Sequence, residues 1–174
     1  MDVEAVAPVR RPSRGGRARA WLLALCWPLL ATPALAQTVP TTFGTVIGNG
    51  LLCRDDIDNR YYYRYLAAAF GAPYKHDGGA YWFKTDAANL WGVAVSEVMV
   101  SDDTSALVFL GAVADVTAEE LDKAVVAQVG VHYAKIDSSA YPVREASPGS
   151  RIVYFDLKSK IYCAKFKPLP PGLR

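Results

Sequence analysis

The sequence predicts an α+β fold of two tandem α-β-β-β units, with the helices packed on one face of an antiparallel sheet. Three observations predict it. A segment of helical period is followed by three short runs of period two, and this order occurs twice. Both helical segments end on a glycine, Gly71 and Gly130, the residue that closes helices without a side-chain penalty. The two halves also match locally in sequence at a nearly constant offset, the mark of an internal repeat.

The first 36 residues read in the order of an export signal. Arg10, Arg11, Arg14, Arg17 and Arg19 form a basic stretch, Trp21 to Ala31 an apolar one, and Ala34 and Ala36 frame a small-residue cut site. The apolar run is broken by Pro28 and falls short of the ~20 residues a spanning helix needs. No membrane span is therefore expected beyond the cut after Ala36. Cys26 lacks the small residue that should precede a lipid-bearing cysteine, because Leu25 stands there. Arg10-Arg11 is followed by Pro12, not by an apolar run, so ordinary export is the default. The chain outside the leader is expected in the periplasm or the medium.

Residues 37–50 are rich in Thr, Gly and Pro and uncharged, and read as a flexible lead-in. The first unit spans 51–115. Asp55, Asp56 and Asp58 suit a helix start, Ile57, Tyr61, Tyr65 and Ala68 follow at helical spacing, and the spacing predicts a helix over 56–70. Asp56, Arg60 and Arg64 stand four apart, in the acid-before-base order that stabilises a helix face. Strands follow at 81–84, 93–101 and 106–113, with a polar turn at Ser101 to Ser105.

The second unit spans 116–168. Thr117 and Glu120 form a capping box at a helix that runs to about Val129, with Leu121 and Val125 on its core face. Strands are expected at 140–144, 151–156 and 161–166, and 169–174 is a tail. Phe70-Gly71-Ala72-Pro73-Tyr74 aligns with Val129-Gly130-Val131-His132-Tyr133, and Asp77 to Tyr81 with Asp137 to Tyr141, so that Lys84 falls opposite Arg144.

Without the leader's five arginines and two acids, acidic residues exceed basic ones by one. The basic balance of the whole chain is therefore no argument for a nucleic-acid partner. Cys53 and Cys163 are the two cysteines beyond the leader, and in an oxidising compartment they are expected to pair. His76 and His132 stand without a third ligand at metal spacing, and neither a metal site nor a cofactor motif is expected. Asp55-Asp56-Ile57-Asp58 is near calcium-loop spacing, but Arg60 occupies a ligand place and no Gly or distal Glu completes it. His76-Asp77 is the one local pair that invites catalysis, and no nucleophile motif accompanies it.

Every Phe and Tyr lies beyond residue 36, so the aromatics must supply much of the core. Alternation along the first strand separates Tyr81 and Phe83 from Trp82 and Lys84. The former pair is assigned inward, the latter outward, with Trp91, Arg144 and Tyr154 as further outward candidates. Trp, Tyr and Arg are the types enriched at binding hot spots.

The stretch Tyr65-Leu66-Ala67-Ala68-Ala69-Phe70-Gly71-Ala72-Pro73, followed by Gly78-Gly79-Ala80-Tyr81-Trp82-Phe83, resembles the helix-Gly-x-Pro-loop-aromatic-strand signature of the SmpA/OmlA outer-membrane assembly lipoproteins and is similar to the β-lactamase inhibitory proteins. The resemblance implies an extracytoplasmic protein that binds another protein through its sheet. It assigns no binding residue by motif. The expected function is thus a non-catalytic protein-binding module: an inhibitor, an immunity protein or an envelope-assembly accessory. Two alternatives stand beside it: a small enzyme or ligand carrier with a pocket around His76, Asp77 and Trp91, and an envelope protein that self-associates, as a homodimer for instance, through the same face.

Overall fold

The computed structural model describes residues 38–167. The expected leader, its cut after Ala36, Cys26 and the 169–174 tail lie outside the described residues. Within them the fold is α+β: three helices cover one face of an eight-stranded antiparallel sheet.

The segment expected as a lead-in is instead helix α1, Phe43–Leu51. Phe43, Ile47 and Leu51 recur every four residues and are buried on the sheet, and the stripe was masked by Gly44, Gly48 and Gly50. These glycines cost helical propensity, about 1 kcal/mol each relative to alanine, yet at Gly50 close packing leaves no room for a side chain. The Trp91 ring lies 3.5 Å from where a Gly48 Cβ would stand, and a Gly50 Cβ would meet the Tyr62 hydroxyl at 2.5 Å and Leu110 at 2.7 Å.

Helix α2, Asn59–Phe70, begins three residues later than expected. Asp58 is its N-cap and accepts from the Arg60 and Tyr61 amides at 2.9 and 3.1 Å, satisfying donors that the first turn leaves free. Asp56 lies outside the helix, where it accepts from Lys165 Nζ at 3.2 Å. Gly71 closes α2, and the chain enters a short edge strand β1, Lys75–Asp77, that alternation was too brief to reveal.

Strands β2 (Ala80–Leu90), β3 (Val93–Ser101) and β4 (Leu107–Ala114) continue the first half. The β2–β3 connection is a two-residue turn in which both Trp91 (φ 54°) and Gly92 (φ 82°) take positive φ, the backbone that matches strand twist. Helix α3, Ala118–Val129, carries the expected capping box and ends at Gly130 in the left-handed conformation. The second half then lays down β5 (Ala134–Lys135), β6 (Arg144–Ala146), β7 (Ser150–Phe155) and β8 (Lys158–Phe166). The strand expected at 140–144 begins only at its last residue, because Asp137 holds the preceding segment in a loop by accepting from the Ser139 and Val143 amides, both at 2.9 Å.

The strand order β1-β2-β3-β4-β8-β7-β6-β5 is symmetric about the β4–β8 seam. Each half runs from an edge to the centre with four strands, where three were expected. Gly71 and Gly130 occupy corresponding helix ends, but the aligned pair of Lys84 and Arg144 does not correspond: Lys84 faces away from the helices and Arg144 toward them. The main core lies under the helices and is built on Phe43, Ile47, Tyr62, Leu66, Phe83, Leu110, Leu121, Ile152 and Ile161. Cys53 and Cys163 form the expected disulfide, joining the segment after α1 to the middle of β8 across 110 residues.

Candidate functional site

The helix-free face of the sheet is read from the strand registers. Lys75, Trp82, Met99, Gly111, Tyr162, Arg151 and Glu145 stand side by side on seven adjacent strands. The next row on this face runs Lys84, Glu97, Val113, Lys160 and Val153. Alternation fixes the other side: Phe83, Val98, Leu110, Ile161 and Ile152 lie in the core beneath the helices. Tyr81 and Phe83 therefore point inward, and Trp82 and Lys84 outward, as their alternation predicts.

A small apolar cluster of Ala80, Met99 and Val113, with Trp82 and Phe109 against it, forms the floor of this face. The Lys160 ammonium lies over two rings, 5.3 Å from the centre of Trp82 and 4.3 Å from that of Phe155. Lys75 approaches Trp82 at 5.2 Å. Lys84 pairs with Glu97 and lies 4.5 Å from the Tyr74 ring, while Arg151 pairs with Glu145 at 2.6 Å. Among the described residues no acid lies within ion-pair distance of Lys160, and burial holds its pKa below the ordinary value, an effect that Glu97 opposes. Beside it, Phe155, Leu157, Lys158, Glu97 and Val113 line a groove of about 300 Å³, and Leu157 at the β7–β8 turn is 92% exposed.

Three of the five residues assigned to this face lie elsewhere. Trp91, in the positive-φ turn beyond the end of β2, turns toward the helices and packs its ring on Gly48. Arg144 is 2% exposed beneath α3, donating to Glu119 at 2.5 Å and to the Pro142 carbonyl at 3.3 Å, with Asp122 at 3.6 Å. The Tyr154 hydroxyl donates to the same Glu119. These two side chains tie α3 to β6 and β7, and their contacts hold the Glu119 carboxyl below its ordinary pKa, that of Tyr154 foremost.

Lys160, Phe155, Tyr162 and Met99 escaped the sequence reading. The signal for β8 was present: once Cys163 is turned inward by its disulfide, alternation sends Lys160 and Tyr162 outward. For β7 it was ambiguous, since either phase of Arg151 to Phe155 exposes an aromatic residue.

A second concavity lies at the edge of the first half, on the helical side. Asn59, Arg60, Tyr63 and Arg64 of α2, His76 of β1, Tyr81 of β2 and the turn Ser101 to Thr104 line a cleft of about 530 Å³. Of the pocket expected around His76, Asp77 and Trp91, only His76 belongs to it. Asp77 is exposed and paired with Lys75 at 3.0 Å, and Trp91 stands at the far end of β2. The partner of His76 is instead Asp102, whose side chain is 5% exposed and whose Oδ2 lies 2.7 Å from His76 Nε2. That contact, followed by donation from Thr104, holds the Asp102 carboxyl well below the ordinary carboxylate range.

No family model, curated protein or solved structure matches the chain.

Proposed function

We propose that the chain acts outside the cytoplasm, after removal of its leader near Ala36, as a non-catalytic module that binds another protein through the helix-free face of its sheet. The observation that carries this reading is the cluster of Trp82, Lys160 and Phe155. A half-buried ammonium between two rings has lost water without gaining an acid, so a carboxylate brought by a partner would meet a desolvated cation in an apolar setting. The occupant is accordingly a protein segment that offers an acidic side chain to Lys160 and an apolar one to the groove beside Leu157. Inhibitor, immunity protein and envelope-assembly accessory all fit this mode, which is also the one implied by the resemblance to the SmpA/OmlA and β-lactamase inhibitory proteins. The disulfide supports an oxidising compartment.

The test compares capture from an envelope extract by the disulfide-intact chain and by three variants. Trp82→Ala and Lys160→Glu should each weaken capture of one discrete protein at least ten-fold, as loss of a central anchor does. Lys123→Ala, on the exposed side of α3, should leave it unchanged. Equal recovery by all four proteins would overturn the proposed surface. Sedimentation of the purified chain separates self-association: a dimer broken by Trp82→Ala would assign the face to a second copy and defeat the reading of a foreign partner.

A further inference from the structure

We propose that the cleft beside His76 is a second, independent binding site, and that it takes a small planar aromatic acid. Its volume, about 530 Å³, lies in the range of small-molecule sites. One wall is the first two turns of α2, the floor is β1 and β2, and the far wall is the turn after β3.

The rings of that floor form a platform. His76 and Tyr81 stack with centroids 4.3 Å apart and planes 18° from parallel, and Tyr63 meets Tyr81 edge to face at 4.8 Å. Such a surface suits a flat apolar body, which can stack or pack edge-on against it.

The charge of the ligand follows from which groups are already engaged. Asp102 has no capacity left: its Oδ1 accepts from the Thr104 amide, the Thr104 hydroxyl and the Ser105 amide at 2.8, 2.7 and 3.1 Å, and its Oδ2 from His76. Asp103 accepts from Asn59 at 3.2 Å and pairs with Arg60 at 3.3 Å. Arg64 is different. Among the described residues no acid lies within ion-pair distance of it, and it is an exposed lining residue of the cleft. Both acids are occupied and one cation is not, so the cleft selects an anion.

His76 adds direction. Because the Asp102 carboxylate can only accept, Nε2 must carry the proton it shares, leaving Nδ1 as the free nitrogen of a half-exposed ring that cannot turn without breaking the pair. The Thr104 hydroxyl donates to Asp102 at 2.7 Å, and Ser101 Oγ accepts from the Phe109 amide at 3.0 Å. The arrangement is one for holding a ligand in a fixed orientation.

The experiment titrates the disulfide-intact chain with benzoate and 4-hydroxybenzoate, using acetate and benzyl alcohol as the non-aromatic and uncharged probes, and follows the His76 and tyrosine ring resonances by NMR. Saturable shifts of His76, Tyr63 and Tyr81 with an aromatic acid, at a Kd of about 1 mM or tighter, are expected. Arg64→Gln, an exposed change that leaves the core intact, should weaken binding at least ten-fold, whereas Lys123→Ala on the exposed side of α3 should not alter it. Absence of saturation with both acids, equal binding by Arg64→Gln, or acetate binding as well as benzoate would each overturn the proposal.

Discussion

At Gly50 the structure leaves no room for a side chain. A methyl group there would stand 2.5 Å from the Tyr62 hydroxyl and 2.7 Å from Leu110 Cδ2, both in the core and neither at the loose end of a long chain. In an exposed helix an alanine would stabilise. Here the overlap dominates, and Gly50→Ala should destabilise the protein by about 1–3 kcal/mol, read as a lower urea midpoint with unchanged slope. A stabilised variant would show that α1 does not seat as described. The same glycine explains why this part of the sequence was misread: a residue chosen for close approach looks, in sequence, like one chosen for flexibility. Trp91 misled in the opposite sense. Its type suggested a binding anchor, whereas its ring fills the space that Gly48 leaves open.

Among the elements, those with strong local signals were legible and those defined by their neighbours were not. The capping box of α3, the glycine ends of α2 and α3 and the strands β3, β4, β7 and β8 are written in short stretches of sequence. Strands β1 and β5, of three and two residues, have too few residues to alternate and exist because β2 and β6 pair with them. The helix-free face was legible for β2 alone, where Trp82 and Lys84 alternate with Tyr81 and Phe83. Assigning Arg144 and Tyr154 required α3, since both meet Glu119 on that helix.

One contact between elements makes a testable pH dependence. The Tyr133 hydroxyl, after α3, lies 2.8 Å from Ser150 Oγ on β7, which in turn donates to the Leu51 carbonyl at the end of α1 at 2.7 Å. Burial pushes the Tyr133 pKa up to about 12, and that of Tyr62 likewise to about 12, from an ordinary 10.0. Because the neutral form is favoured in the folded chain, the associated stability is fully present below pH 10 and is lost as pH rises from there through 12. Spectrophotometric titration should show Tyr62 and Tyr133 ionising late, together with unfolding. Ionisation of Tyr62 and Tyr133 near 10 in a still-folded chain would contradict the described burial.

On the scale of the whole molecule, the two halves meet along β4 and β8, whose registers run unbroken from Leu107 with Phe166 to Ala114 with Ser159. The disulfide lies at this seam: Cys163 is the register partner of Leu110 and is bonded to Cys53 just beyond α1. Closing 110 residues removes about 4–5 kcal/mol of freedom from the unfolded chain in the entropy model. The Cys53→Ser, Cys163→Ser double variant should lose stability on that order while unfolding in a single transition, since α1 packs on strands of both halves. Two separated transitions would show that the halves are independent. The pairing of Cys53 with Cys163 was legible because they are the two cysteines beyond the expected leader. The symmetric strand order was not, for it is set by long-range pairing that local pattern does not encode.

The two edges of the sheet, β1 and β5, are among its shortest strands. At β1 and β5 themselves an incoming chain would find only three and two residues of edge backbone, too little for strand addition, in which main-chain hydrogen bonds supply affinity almost regardless of the guest's sequence; the longer free edge is that of β2 beyond Trp82, where β1 no longer pairs. Recognition through the helix-free face, as opposed to an edge, is carried by side chains. It follows that a binding surface here would be discriminating but brittle: single substitutions could retune it between closely related targets, and equally could abolish it.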